Sequence, residues 1–156
     1  MVASVLDHII EAFTHDPGNN PALLGDRSMT EKRVPGPIVK SEAILATADV
    51  AATIRFYREK LGFTNEWFWD DPPTHGGVEW GEIDLMFQHN VELAKHVEGH
   101  QHYFFVTGVD ELYARHQQNG VSIISPLERK PWGMREYTVR DPNGYHLRFG
   151  EQSGPE

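Results

Sequence analysis

Apolar and polar positions along the chain fall into one order that occurs twice. After residue 40 a strand-like run, Glu42 to Thr47, leads into a helical stretch from about Val50 to Leu61. Its Ile54, Tyr57, Arg58 and Leu61 follow the 3.6-residue period. Asp49 stands where an N-cap belongs and Gly62 where a helix stops. Runs over Thr64–Asp70, Gly77–Trp80 and Glu82–Gln88 then alternate as strands. The order recurs with a strand Gln101–Val106, a helix from about Val109 to Asn119 closed by Gly120, and strands over Val121–Ile124, Arg135–Val139 and Tyr145–Phe149. This predicts an α+β fold of two successive βαβββ modules. Each module alone leaves one sheet face uncovered, so the two are expected to pair.

The first forty residues are of another kind. Val5, Leu6, Ile9, Ile10 and Phe13 recur at helical spacing. Asp16-Pro17-Gly18, Asn19-Asn20-Pro21, Gly25-Asp26 and Pro35-Gly36-Pro37 then mark turns and loops. The expected organisation is an extension over 1–40 (a short helix plus loop) and a domain over 41–151, with a tail over 152–156. The modules of that domain span about 41–90 and 100–151.

Charge narrows the partners. Fourteen Lys and Arg against 23 Asp and Glu give a formal charge of −9. That argues against a nucleic-acid footprint or an anionic membrane surface and modestly favours a cationic ligand. With no cysteine there is neither a disulfide framework nor a thiolate metal site. No apolar run approaches the ~20 residues of a membrane span. No basic residue precedes Arg27, so the N-terminus does not read as a secretory leader. A cytoplasmic protein is the expectation.

Specific strings add a family. Ala48-Asp49-Val50, Phe56-Tyr57 and Leu61-Gly62-Phe63 match the opening of vicinal-oxygen-chelate proteins, the glyoxalase, bleomycin-resistance and dioxygenase superfamily. Val106-Thr107-Gly108-Val109-Asp110-Glu111-Leu112 resembles the opening of their second module. Trp132-Gly133-Met134-Arg135-Glu136-Tyr137 and Asp141-Pro142-Asn143-Gly144-Tyr145 resemble their penultimate strand and closing hairpin. The resemblance covers about Ser41 to Glu151 and is nearest to the bleomycin-resistance-like members. It implies that each module curls into a half-barrel and that the pair encloses a cleft. It also implies a homodimer whose clefts both subunits complete. The hairpin string has a local reason as well: Asp, Pro and Gly occupy the first, second and last positions of a type I turn.

Metal-dependent members of the family carry ligands on the first and last strands of each module. Counted from the motifs, those positions fall on Glu42, Asp84, Gln101 and Arg148. Strand alternation bears on the facing independently. Ile83, Leu85 and Phe87 oppose Asp84, Met86 and Gln88, and Tyr145, Leu147 and Phe149 oppose His146 and Arg148. The second set of each pair suits a cleft. Trp67 and Trp69 share one strand face, Tyr103 and Phe105 share that of Gln101, and the resemblance sets Trp132 beside the cleft. Aromatic walls with a few polar groups suit a small planar or cationic ligand.

The fourth position decides between two chemistries. A guanidinium is permanently cationic and has no lone pair for a metal, so Arg148 is expected to pair with Glu42 or Asp84 instead. The favoured reading is therefore a protein that sequesters an antibiotic or metabolite with no metal cofactor. Its ligand-binding candidates are Glu42, Trp67, Trp69, Asp84, Met86, Gln101, Tyr103, Phe105, Trp132, His146 and Arg148. The alternative is a metal-dependent lyase, isomerase or dioxygenase. If the strand at His102 slips by one residue, Glu42, Asp84 and His102 would suit Fe, Mn, Ni or Zn. His75, His89, His96 and His100 read as ordinary surface and connector residues.

Overall fold

The computed structural model describes residues 40–153; the expected helix over Val5–Phe13 and the residues from 154 onward lie outside them. Two four-stranded mixed sheets are built from β1 (Ala43–Thr47), β2 (Thr64–Trp69), β3 (His75–Trp80), β4 (Ile83–His89), β5 (Gln101–Phe105), β6 (Ser122–Arg129), β7 (Met134–Arg140) and β8 (His146–Gln152). The first sheet runs β1-β4-β3-β2 and the second β5-β8-β7-β6, so the two modules share one topology. In each, the first strand pairs in parallel with the last, and the remaining neighbours are antiparallel.

Helix α1 (Val50–Phe56) starts at Asp49, whose carboxylate accepts the Ala52 N–H at 2.9 Å. Its last turn widens to π spacing over Tyr57–Leu61 and ends at Gly62 in the left-handed region, φ 97°. Ile54, Tyr57 and Leu61 are fully buried. Arg58, expected on the same face, instead turns outward and pairs with Glu66 at 2.8 Å, because its guanidinium keeps solvent and a counterion there. Helix α1 lies close on β3, where a methyl on Gly76 would strike Ile54 and Val50. Helix α3 (Val109–Gln118) packs on β6, β7 and β8. Glu151 holds its start by accepting the Gly108 and Val109 N–H groups at 3.0 and 3.1 Å.

One core joins the modules. Phe63 meets Phe104 edge-on at 5.9 Å. His116, fully buried, bonds the Leu61 carbonyl at 3.0 Å and the Tyr137 hydroxyl at 2.8 Å. Tyr57 donates to Asp141 at 3.0 Å, and the Tyr145 hydroxyl bonds both the N–H and the C=O of Ala46 on the edge strand β1. The closing turn follows the expected pattern. Gly144 N–H donates to the Asp141 carbonyl at 3.1 Å, while one Asp141 carboxylate oxygen takes the Asn143 and Tyr145 N–H groups, each at 2.9 Å. Burial pushes the Asp141 carboxyl up, against these bonds.

Three details depart from the expectation. The connector after β4 carries a short helix, α2 (Val91–Ala94), capped by Asn90 through the Leu93 N–H at 2.9 Å. Strand β6 continues through two register shifts to Arg129, beyond the expected end at Ile124. Strand β8 runs on to Gln152, one residue into the expected tail. Among the described residues no helix is long and apolar enough to cross a membrane.

Candidate functional site

The helices cover one face of each sheet, and the register assigns the side chains of the other face. In the first module Asp84 lies opposite Glu79, Met86 opposite Gly77, and Trp67 opposite Gly77 from the other side. Glu42 continues this row, one residue before the Ala43–Leu85 pair. Gly77 is required here: any side chain would run into the Trp67 indole, which reaches over it from the neighbouring strand. Trp67 and Trp69 are half-buried on this surface, whereas Ile44 and Phe68 are exposed.

The two carboxylates at the first and second ligand positions already have a cation. Lys40 Nζ sits 2.5 Å from Glu42 and bonds Asp84, and both bonds raise its ammonium above the ordinary value, Asp84 more. These residues line a hollow of about 320 Å³ together with His102. His102 itself turns to the helix-covered face of β5, stacked on Phe104 at 4.7 Å, where burial lowers its imidazole pKa.

In the second module the bare face carries a connected polar group. Gln101, Tyr103 and Phe105 share a face of β5, with Tyr103 beside Arg148 and Gln101 beside His146 on β8. Arg148 Nη2 donates to Gln101 Oε1 at 3.1 Å, its Nη1 stands 3.5 Å from Glu136, and the guanidinium lies 5.8 Å from the Tyr103 ring centre. The expected counterions, Glu42 and Asp84, are not its partners; Glu136 on β7 stands closer and is only 3% exposed. Glu136 also accepts from the Tyr103 hydroxyl at 2.8 Å and from Trp132 Nε1 at 3.3 Å. Tyr103 is pushed up to about 12, by burial first and by the Glu136 bond second. Its ring lies over Gly150, where any Cβ would overlap the hydroxyl.

His146 stands 3.4 Å from Glu98, which forks onto Arg140 from the connector. Phe105 and Trp132 are 80% and 61% exposed; the Phe105 ring leans on Tyr103 at 4.6 Å, and the Lys130 ammonium stands 6.0 Å from the Trp132 ring centre. A further hollow of about 510 Å³ lies at the edge strands β1 and β5, between Ile44, Leu93, Val97, Gln101 and Tyr145. Gln101 thus touches both this hollow and the Arg148 group.

The donor set at the four ligand positions does not fit a divalent ion. Glu42 and Asp84 share an ammonium, Gln101 gives its carbonyl oxygen to Arg148, and Arg148 has no lone pair. Among the described residues no three His, Asp or Glu side chains converge as metal ligands. Sequence reasoning passed over Lys40 and Glu136. Alternation alone pointed to Glu136, since Tyr137 and Val139 face the core and put Glu136 and Thr138 on the other face.

Paired βαβββ modules with their helices on one side and a bare polar-aromatic surface on the other define a vicinal-oxygen-chelate domain. Residues 39–149 match the model of the Glyoxalase/Bleomycin resistance protein/Dioxygenase superfamily, and the chain belongs to that superfamily. No curated protein matches it. Among solved structures it resembles TioX from Micromonospora sp. ML1, at 26% identity and a TM-score of 0.61, over 71% of this chain and 96% of that one. It resembles equally the bleomycin-binding protein of bleomycin-producing Streptomyces verticillus in complex with copper(II)-bleomycin. That match has 26% identity and a TM-score of 0.61, over 76% of this chain and 98% of that one. Lactoylglutathione lyase from Agrobacterium tumefaciens, at 22% identity and a TM-score of 0.61 over 74% and 94%, shares the fold.

Proposed function

We propose that the protein binds a small planar, cationic molecule, an antibiotic or metabolite, and sequesters it in an aromatic-lined cleft without a metal ion. The observation that carries this reading is Arg148, a fixed cation held by Gln101 and Glu136 where a fourth metal ligand would stand. The half-buried Trp67, the exposed rings of Trp132 and Phe105, and the formal charge of −9 support an aromatic cation as ligand. So does the likeness to a protein whose structure holds copper(II)-bleomycin. A homodimer belongs to the proposal, because the exposed Ile44 on the edge strand β1 would gain by burial against a second copy. So does a cytoplasmic role in drug resistance.

The test is quenching of tryptophan fluorescence by metal-free bleomycin and by 9-aminoacridine, compared with Trp67→Phe. Saturable quenching by either compound that weakens in the variant is the expected result. Flat titrations with both compounds to millimolar concentration would sink the reading.

A further inference from the structure

The Arg148 group has more donors than acceptors. Its donors are the Arg148 Nε, Nη1 and Nη2, the Trp132 Nε1 and the Tyr103 hydroxyl. Its acceptors are two oxygens of Glu136 and one of Gln101. Tyr103 and Trp132 both use Oε2 of Glu136, leaving Oε1 for the guanidinium at 3.5 Å. Glu136 is 3% exposed, and its Oε2 is held by Tyr103 and Trp132 on the side away from the guanidinium's nearest contact, Oε1. One consequence is visible: Arg148 Nε is shut from solvent with no hydrogen-bond partner. A stranded buried donor is costly, and the fork is held off its best geometry. The rest of the guanidinium is reachable, since the Arg148 side chain is 31% exposed, and the rings of Trp132 and Phe105 are exposed as well.

We propose that Arg148 anchors a carbonyl-type oxygen on the ligand, so that the cleft prefers a planar cation bearing such an acceptor over the bare planar cation. The inference rests on the binding reading above and sharpens it. The aromatic faces take the plane and the acidic surface takes the charge. The exposed Nη1–Nη2 edge, which carries more N–H groups than Gln101 and Glu136 engage, takes the oxygen, with Glu136 and Gln101 as positioning residues. Arginine suits this role because its planar edge offers paired N–H groups that lysine lacks.

The experiment compares two probes on the full chain by calorimetry: 9-aminoacridine and its 4-carboxamide. A hydrogen bond to a charged donor corresponds to about tenfold or more in affinity, and the carboxamide is expected to bind wild type tighter by that factor. In Arg148→Lys, which keeps the charge and loses the fork, the ratio of the two affinities falls to about one, whatever the affinity for 9-aminoacridine itself. Gln101→Met frees Nη2, and the preference for the carboxamide rises, an outcome that a merely structural role would not produce. It also keeps the test decisive if Arg148→Lys does not fold. Equal affinities of the two probes for wild type overturn the inference and leave the binding reading standing. Absence of binding by both overturns the two together.

Discussion

Replacing His116 by Leu tests how the two modules are locked. Its imidazole is fully buried between α1, α3 and β7. The nitrogen facing the Leu61 carbonyl must carry the hydrogen, so Nε2–H donates at 3.0 Å and Nδ1 accepts the Tyr137 hydroxyl at 2.8 Å. Leucine fills most of the volume but leaves that carbonyl and that hydroxyl without partners. Each such loss costs about 1–3 kcal/mol, so about 2–6 kcal/mol in all is expected. With a slope of about 2 kcal/mol per molar urea, the midpoint falls by about 1–3 M at unchanged slope. Equilibrium unfolding in urea, followed by tryptophan fluorescence and circular dichroism, measures it. Tyr137→Phe removes one of the same bonds, so the double variant loses less than the sum of the single ones. A midpoint shift below about 0.3 M for His116→Leu would refute the reasoning, since two stranded buried groups cannot cost so little.

The same residue sets a pH dependence. Burial, the larger effect, lowers the His116 pKa below the ordinary value of 6.5. Above 6.5 the side chain is neutral in both folded and unfolded chains, and its contribution to stability is constant. As pH falls through 6.5 the unfolded chain takes up a proton that the folded one refuses, so stability drops until the folded value is passed. Wild type therefore loses more stability than His116→Leu between pH 7 and pH 5, read from urea midpoints at each pH. Tyr103→Phe removes the 2.8 Å donor to buried Glu136 and lowers stability by about 1–3 kcal/mol in the same assay. Gly77→Val drives the Trp67 indole off β3, with a shift in fluorescence maximum and an overpacking cost of about 1–3 kcal/mol. Glu151→Ala uncaps helix α3, and a fall in stability of about 1 kcal/mol is expected.

Much of this arrangement is legible along the chain because it depends on local signals. Asp49 and Gly62 bound the first helix, and the alternation along Ile83–Gln88 separates Leu85 and Phe87 from Asp84 and Met86 without any tertiary information. The count from Asp141 set Arg148 on one face of β8, and that strand does carry Leu147 and Phe149 on the other. What alternation cannot supply is the choice among partners. Glu42, Asp84 and Glu136 are all carboxylates on bare faces. Which of them meets Arg148 is settled by β7 pairing with β8, and by Lys40 arriving at the other two from a loop. Alternation sets Glu136 on the bare face, but that it is the partner of Arg148 would be found from sequence only by laying β7 beside β8 in register. The role of Gly77 and Gly150 is hidden for a related reason, since each makes room for a ring from the neighbouring strand. Arg58 was set on the inner face by a period of 3.6, which the widened last turn does not keep.

The central claim, a cleft whose own cations stand where a metal would be held, is tested most directly by elemental analysis. The protein is purified without chelator, as wild type and as Arg148→Glu, and Mn, Fe, Ni and Zn are counted per chain. The account predicts well under a tenth of an equivalent in wild type, against the near-stoichiometric content of a tight site, with any gain confined to the variant. One equivalent in wild type would contradict it and return the chain to metal-dependent chemistry.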